Sequence, residues 1–552
     1  MKWKFRSRER IQEQDPDKII EYLLNVRGIS KIDTFLNPDI DSFNDPFKLK
    51  NVREGSRRII KAIENREKIS IYGDYDTDGV TATALLLIIL RKLNADVDYY
   101  IPHRLKEGYG LNKNGIQKLR ERGTELIVTV DCGINATSEI KLAKELGMDI
   151  IITDHHIPAR ENPADIVINP KLSKEYPYKE LAGVGVAFKL CQGIQKISNF
   201  PQNFLFWNLD LVALGTVADV MPLTGENRVI TLLGLKIMNE RRRPGIKALL
   251  RNAEYKGRIK ANHISFILAP RINALGRLKE AGENVELLTT YNEKEAERLA
   301  KILEDYNTER GKLQEQILKS ALKILQSLDM KTNREGIVLS HPKWHEGVVG
   351  IVASKIAEKF YRPTILIAEK EDICKGSGRS IPEFDIMEAL VEAEEFLEDF
   401  GGHPQACGIS IKKENIKPFK EIFNRVVREK LKEKDLTRKI TVDFPLSLHF
   451  INDELIKKIS FLAPFGVGNP SPIFSTSNLE IVGSPKIVGK NHLKFMVRQD
   501  DKYFPSIGFS QGKKLEFLKR EPRINIAYTP FIDDWSKNIT LKIRDIKVEK
   551  PA

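Results

Sequence analysis

Cysteine is scarce in this chain. Cys132, Cys191, Cys374 and Cys407 are scattered through 552 residues with no Cys-x-x-Cys pair. Such spacing excludes a disulfide framework and a structural zinc, and it predicts a reducing compartment, the cytoplasm. Long apolar runs are missing too. The longest, ALLLIIL from Ala84, is far too short to span a bilayer, so no membrane partner is expected. The opening MKWKFRSRERIQEQDPDK is charged and lacks the apolar core of a signal peptide. There is no Walker loop, no Gly-x-Gly-x-x-Gly after a strand-like run and no serine-nucleophile elbow. P-loop chemistry, dinucleotide binding and acyl transfer therefore lose ground.

What the chain has is length and positive charge. At 552 residues it exceeds one core, and three or four domains are expected. A composition 41% hydrophobic and 30% charged is that of a soluble globular protein. The net charge of +13 points to a polyanionic partner, nucleic acid first, with a generally basic proteome as the plain alternative. Residues 438–552 hold 19 Lys and Arg against 12 Asp and Glu, a surplus of seven in about a fifth of the chain.

From residue 69 strand-like runs (ISIYG, DVDYYI, LIVTV, DIIIT) alternate with helix-like ones, which predicts a mostly parallel α/β sheet. Ligands of such sheets bind beyond the carboxyl ends of the strands. Asp74, Asp131 and Asp154 each directly follow a strand-like run. Residues 184–240 read as largely helical and place Asp219 in apolar surroundings. Residues 292–328 carry the longest helical period, opened by a capping-box spacing at Asn292 and Glu295. It reads as a strut between domains, or else as a buried helix. A second α/β pattern follows. After residue 438 five short strands fit a small barrel such as an OB-fold. Its Phe495, Tyr503, Phe504, Phe509 and Tyr528, set among basic residues, suit a single-strand groove. A basic barrel with those rings in its core fits the composition nearly as well.

SIYGDYDTDGV, residues 70–80, gathers Asp74, Asp76 and Asp78 at alternate positions, and the DIIIT run continues into Asp154, His155 and His156. A single Asp after a strand is usually a turn former or helix cap. The adjacent Asp-His-His is rarer. If these groups converge with Asp131 and Asp219, their mutual repulsion requires cations. Carboxylates with one or two imidazoles favour Mn²⁺ or Mg²⁺. More than five candidate ligands suit two ions, the arrangement for in-line displacement at phosphorus.

GDYDTDG, VDCG, TDHH and GTVADVMPL resemble the four motifs of the DHH phosphoesterases. APRINALGR, WHEGVVGIVASKI, KGSGRSI, FGGHPQACGISI and LAPFGVGNPSPIF extend the resemblance, in order along nearly the whole chain, to that family's single-strand-specific 5′→3′ exonucleases. The resemblance implies an α/β fold: two α/β domains, the DHH domain and a DHH-associated domain, joined by a long helix, with a C-terminal OB barrel. Its expected divisions are an N-terminal segment 1–50, a catalytic domain 51–290, a connecting helix 291–330, a substrate-binding domain 331–435 and a single-strand-binding barrel 436–552.

The same resemblance implies roles. Asp76 would hold one metal. Asp78, His155 and Asp219 would hold the other, Asp131 would bridge, and His156 would face the scissile phosphate. Asp74 would be a further ligand or a neighbour of the ligands, and Asp154 would orient the imidazoles. Arg104, Arg271, Asn273, Arg277, Ser377 and Arg379 would grip the DNA backbone and 5′-phosphate. So would a Gly401–Gly402–His403 turn, in which His403 could equally be structural. Single-stranded DNA is the implied partner, with a single-strand-binding protein and a repair helicase as further candidates, and the chain is expected to be a monomer. The rivals are a DHH phosphodiesterase acting on short oligonucleotides or cyclic dinucleotides, a manganese pyrophosphatase, and an inactive DNA-binding scaffold. The additional basic barrel argues against the first two, and the complete ligand set argues against the third.

Overall fold

The computed structural model describes residues 1–548 apart from 13, 109, 279–280, 328–334, 522 and 534–535. It comprises two compact units.

The first unit contains residues 45–219 and 234–436. It holds a wholly parallel sheet in the order Val97–Tyr100, Ile69–Tyr72, Leu126–Val130, Asp149–Thr153, Ile166–Ile168. Ile69–Tyr72 and Leu126–Val130 are buried at every position, as expected for strands covered on both faces. After Ile69–Tyr72 the chain adds a strand on one side and then crosses to the other. The crevice this opens lies beyond Tyr72 and Val130, where Asp74 and Asp131 sit.

A second, mixed sheet runs Leu397–His403, Ala406–Lys412, Ile373–Arg379, Thr364–Ala368, Ile337–His341. Between the two sheets runs the 35-residue helix Glu293–Ser327, on the order of 50 Å long. Its buried residues fall in two groups, Ala296 to Leu303 and Ile317 to Leu325. The second group packs into the core of the second sheet with Val348, Val352 and Leu366. Asn292 Oδ1 accepts from the amides of Lys294 and Glu295, at 3.0 and 3.3 Å. The Asn292 cap is therefore present, but the box does not close: Asn292 N donates to Thr290 Oγ1 at 3.1 Å, and the Glu295 carboxylate accepts from Arg298 instead.

The second unit contains residues 1–44, 220–233 and 437–552. Five strands, Phe474–Val488, His492–Gln499, Lys502–Gly508, Ile539–Val548 and Arg523–Ile532, pair in that order. The last pairs back with the first and closes a barrel. The 15-residue first strand bends around the barrel through two register shifts, with Asn478 and Gly483 in the left-handed region. The N-terminal residues are part of this unit. Lys2–Phe5 pairs in parallel with Lys439–Val442. Ile19, Ile20, Leu23 and Leu24 lie in the barrel core, and buried Arg27 forms a two-point ion pair with Asp443.

The barrel aromatics divide. Phe495, Phe504 and Tyr528 are core residues, which corrects their reading as a binding surface. Tyr503 and Phe509 are 50% and 45% exposed, with Arg498 and Lys542 5.8 and 5.2 Å from their ring centres. Alternation along a strand sends neighbours 503 and 504 to opposite faces. Among the described residues, no helix is long and apolar enough to cross a membrane.

Candidate metal centre

The strand Ile69–Tyr72 and the helix Thr77–Lys92 meet at a tight junction. A side chain at Gly79 would come within 2.7 Å of Asp74, so only glycine lets the two elements approach this closely. Asp76 caps the helix: its Oδ1 accepts from the amides of Asp78 and Gly79 at 2.8 and 3.2 Å. Asp78 lies in the first turn. Its two oxygens accept from the amides of Gly183 and Val184 at 2.7 and 2.9 Å, at the start of the helix Gly183–Ser198. Here too glycine makes room, since a Cβ on Gly183 would fall 2.4 Å from Asp131 Oδ1.

Asp131 ends its strand with φ 62°, a left-handed conformation that costs a non-glycine residue on the order of 1 kcal/mol. Asp219 closes the helix Leu209–Ala218. His155 Nε2 lies 3.3 Å from Asp131 Oδ1 and 3.6 Å from Asp219 Oδ2. Among the described residues, three sets of side chains have ligand atoms within 4.8 Å of one another: Asp74, Asp76 and Asp131; Asp78, His155 and Asp219; Asp131, His155 and His156. Asp131 and His155 each belong to two sets.

Asp154 is differently employed. It is 1% exposed. Its Oδ1 accepts from the amides of His155 and His156 and bonds His156 Nδ1 at 2.7 Å, and its Oδ2 accepts from Ile134 N. It therefore orients the His156 ring and the turn that carries both imidazoles.

Burial and neighbouring carboxylates push Asp74 and Asp131 well above the usual carboxylate range, Asp78 up to about 7 and Asp219 up to about 8. Burial and the positive charge of His156 push His155 down to about 3. Burial also opposes charge on His156. The bond to Asp154 and the surrounding carboxylates outweigh it, and His156 is pushed up to about 9. These carboxylates cannot all ionise near neutral pH without added positive charge, and Asp74 Oδ1 is buried with no hydrogen-bond partner among the described residues. Carboxylate oxygens with imidazole nitrogens form a donor set that fits hard divalent cations.

Beside the carboxylates stands a group of arginines. The Arg104 guanidinium lies 5.0 Å from the centre of the Tyr75 ring, and its charge acts on Asp74. Burial, then Arg104 and other arginines, lowers Arg277 to about 9, and Arg277 Nη1 donates to Gly347 O at 3.1 Å. Burial and Arg104 also depress Arg379, whose Nη1 donates to Ser377 Oγ at 3.2 Å and to Gly378 O at 2.7 Å. Cations crowded against one another in this way suit a polyanion.

Two further predicted grips have partners within the protein. Arg271 bonds Glu304 and the carbonyl of Ile267, tying its helix to the long helix. Asn273 Oδ1 accepts from Thr77 N and Oγ1 at 2.8 and 2.9 Å, steadying the loop that carries Asp76 and Asp78. Gly401, Gly402 and His403 form an exposed strand end rather than a turn, because they pair with Gly408, Cys407 and Ala406. The turn follows at Pro404–Gln405. The close pairing at Gly402 needs glycine: a Cβ there would lie 2.3 Å from Ala406 O. His403 remains close enough to His156 and Lys171 that, after burial, their charges depress it.

Sequence reasoning missed Asn169, Lys171 and the amides of Gly183 and Val184. Asn-Pro after the IVI run was a turn signal that could have drawn attention to the first two.

Residues 68–216 match the DHH family, N-terminal domain, residues 333–429 the DHHA1 domain, and residues 442–545 the RecJ OB domain. The chain is 39% identical to the single-stranded-DNA-specific exonuclease RecJ of Bacillus subtilis, over 98% of this chain and 71% of the relative. Among solved structures it resembles Thermus thermophilus RecJ in complex with Mn²⁺, with TM-score 0.83 and 30% identity over all of this chain and 80% of the other. The Mg²⁺ complex of the same protein gives TM-score 0.78 and 28% identity over all of this chain and 79% of the other. With this domain order, this extent of identity and this fold, the chain belongs to the RecJ family of DHH proteins.

Proposed function

We propose that this chain is a divalent-metal-dependent exonuclease that hydrolyses single-stranded DNA from its 5′ end, releasing 5′-mononucleotides during repair and recombination. The observation that carries this reading is the overlap of three candidate ligand sets, two of them with imidazoles, through Asp131 and His155, beside Arg104, Arg277 and Arg379. The Mn²⁺ and Mg²⁺ complexes of the Thermus relative support the choice of ion.

Asp76, with Asp74, would hold one cation; Asp78, His155 and Asp219 would hold the second, and Asp131 would contribute to both. Bound divalent cations supply Lewis acidity at the scissile phosphate and make the attacking water more acidic. His156, kept protonated by Asp154, directs positive charge at the phosphate. Arg104, Arg277 and Arg379, with Ser377, Gly402 and His403, take the strand's phosphates and its 5′ end, because guanidinium forks match phosphate oxygens. Arg271 and Asn273 act at one remove by holding their helix and the metal loop. Tyr503 and Phe509 of the barrel stack on bases of the incoming strand without reading sequence.

The test is an oligonucleotide labelled at either end and incubated with Mn²⁺. Mononucleotides should appear first from the 5′ label, and a blocked 5′ end should slow digestion far more than a blocked 3′ end. The opposite order would overturn the polarity. Digestion undiminished by chelator would overturn the metal dependence.

A further inference from the structure

The two imidazoles sit on a two-residue turn whose backbone is bonded by side chains. His155 and His156 present two N–H and two C=O groups just beyond the strand Asp149–Thr153. Asp154 Oδ1 accepts both N–H groups, at 2.7 and 3.1 Å. The His156 carbonyl accepts from Asn169 Nδ2 at 2.9 Å, and the His155 carbonyl accepts from Lys171 Nζ. Both donors belong to one segment. Asn169 is fully buried, and its Oδ1 accepts from Lys171 N at 2.8 Å, fixing the short Pro170–Leu172 turn. The segment arrives in register because Ile166–Ile168 pairs in parallel with Asp149–Thr153, and Asp154 N donates to Ile168 O at 3.1 Å.

We propose that Lys171, acting with Asn169, is a positioning residue that holds the His155–His156 turn in the conformation that binds metal. The inference rests on the function proposed above. Lys171 is well placed for this task. It is half-buried at the end of the fifth strand of the parallel sheet, and its charge is felt at His155, Asp219 and His403. After His156 the chain runs on through exposed Ile157, whose carbonyl accepts from Asn135 Nδ2, while the carbonyls of His155 and His156 themselves are held by Lys171 and Asn169 beyond the neighbouring strand.

The sign of the effect separates positioning from simple charge. Deleting a cation beside the ligands would, by electrostatics alone, strengthen Mn²⁺ binding. Losing the clamp weakens it, by the tenfold to hundredfold usual for residues that orient a ligand. The experiment is Mn²⁺ titration calorimetry on metal-free wild type, Lys171→Met and Lys171→Arg, with kcat and KM on a single-stranded oligonucleotide. Lys171→Met should bind Mn²⁺ about tenfold or more weakly and lose kcat, with KM within about threefold of wild type. Lys171→Arg, which keeps a donor and the charge, should recover most of the Mn²⁺ affinity. Unchanged or tighter Mn²⁺ binding by Lys171→Met overturns the inference, as does an effect confined to KM, which would make Lys171 a DNA contact. If wild type itself fails to bind Mn²⁺, the proposed function falls as well; if wild type binds and Lys171→Met is indistinguishable from it, only this inference falls.

Discussion

His155 Nε2 lies 3.3 Å from Asp131 Oδ1, a neutral ring nitrogen directed at a buried carboxylate. With the imidazole proton disfavoured, the pair lacks the charge that would make it an ion pair. A shared divalent cation, as proposed above, would satisfy both atoms.

Asp131→Asn keeps the shape of the side chain and removes its charge from two of the three ligand sets. Turnover should fall by about 10³-fold, on the order of 4 kcal/mol of barrier, with single-strand binding retained. Single-turnover cleavage alongside a binding assay without added metal checks it. Near-normal turnover would remove Asp131 from the bridge.

Metal removal should act through pH. Asp78 and Asp219 are pushed up to about 7 and 8 in the folded protein, from the ordinary aspartate value of 3.8. Between those limits the folded state binds more protons than the unfolded one, so these groups lower the stability of metal-free protein as pH rises from about 4 to about 8. Cations bind best where the ligands are deprotonated. The rise in Tm on adding Mn²⁺ to chelated protein should therefore be larger at pH 8.5 than at pH 6. An equal rise at both would argue against this cluster as the site.

Arg379→Lys keeps a charge and loses the fork. KM for a 5′-phosphorylated strand should rise about tenfold, the scale of one charge-assisted hydrogen bond, with a smaller change for a 5′-hydroxyl strand. Parallel kinetics on the two substrates measure the difference. An equal loss on both would place Arg379 on the internal backbone.

Tyr503→Ala and Phe509→Ala should each weaken binding of a long single strand by about 1–3 kcal/mol, with little effect on cleavage of very short oligonucleotides. Phe504→Ala should instead lower stability by about 3–5 kcal/mol, since that ring is buried in the barrel. Point changes test the barrel more cleanly than removal of residues 438–552, which would strip Lys2–Phe5 and the helix Pro16–Val26 of their partners. Fluorescence titration and thermal unfolding of the three variants separate the two effects.

By itself the sequence determined whatever depends on local period. Alternating strand and helix runs required a parallel sheet, which put Asp74, Asp131 and Asp154 beyond strand ends. A long helical period with Asn292 as its cap required the long helix, and five short strands after residue 438 required a small β structure. Only the tertiary structure decided which of several like residues does what. Asp131 and Asp154 share one local signature, yet Asp154 is taken up by Ile134 N, His156 and two backbone amides, while Asp131 faces His155. Arg271 and Arg277 lie six residues apart on one helix. The first is tied to Glu304, and the second is buried near Arg104 and Arg379. Tyr503 and Phe504 are neighbours, and barrel closure alone selects which ring becomes core. Backbone period is set by residues a few positions apart. Hydrogen-bond partners and burial are set by contacts between segments far apart in the chain, such as Lys171 against His155 or Gly183 against Asp78, and no local pattern records them.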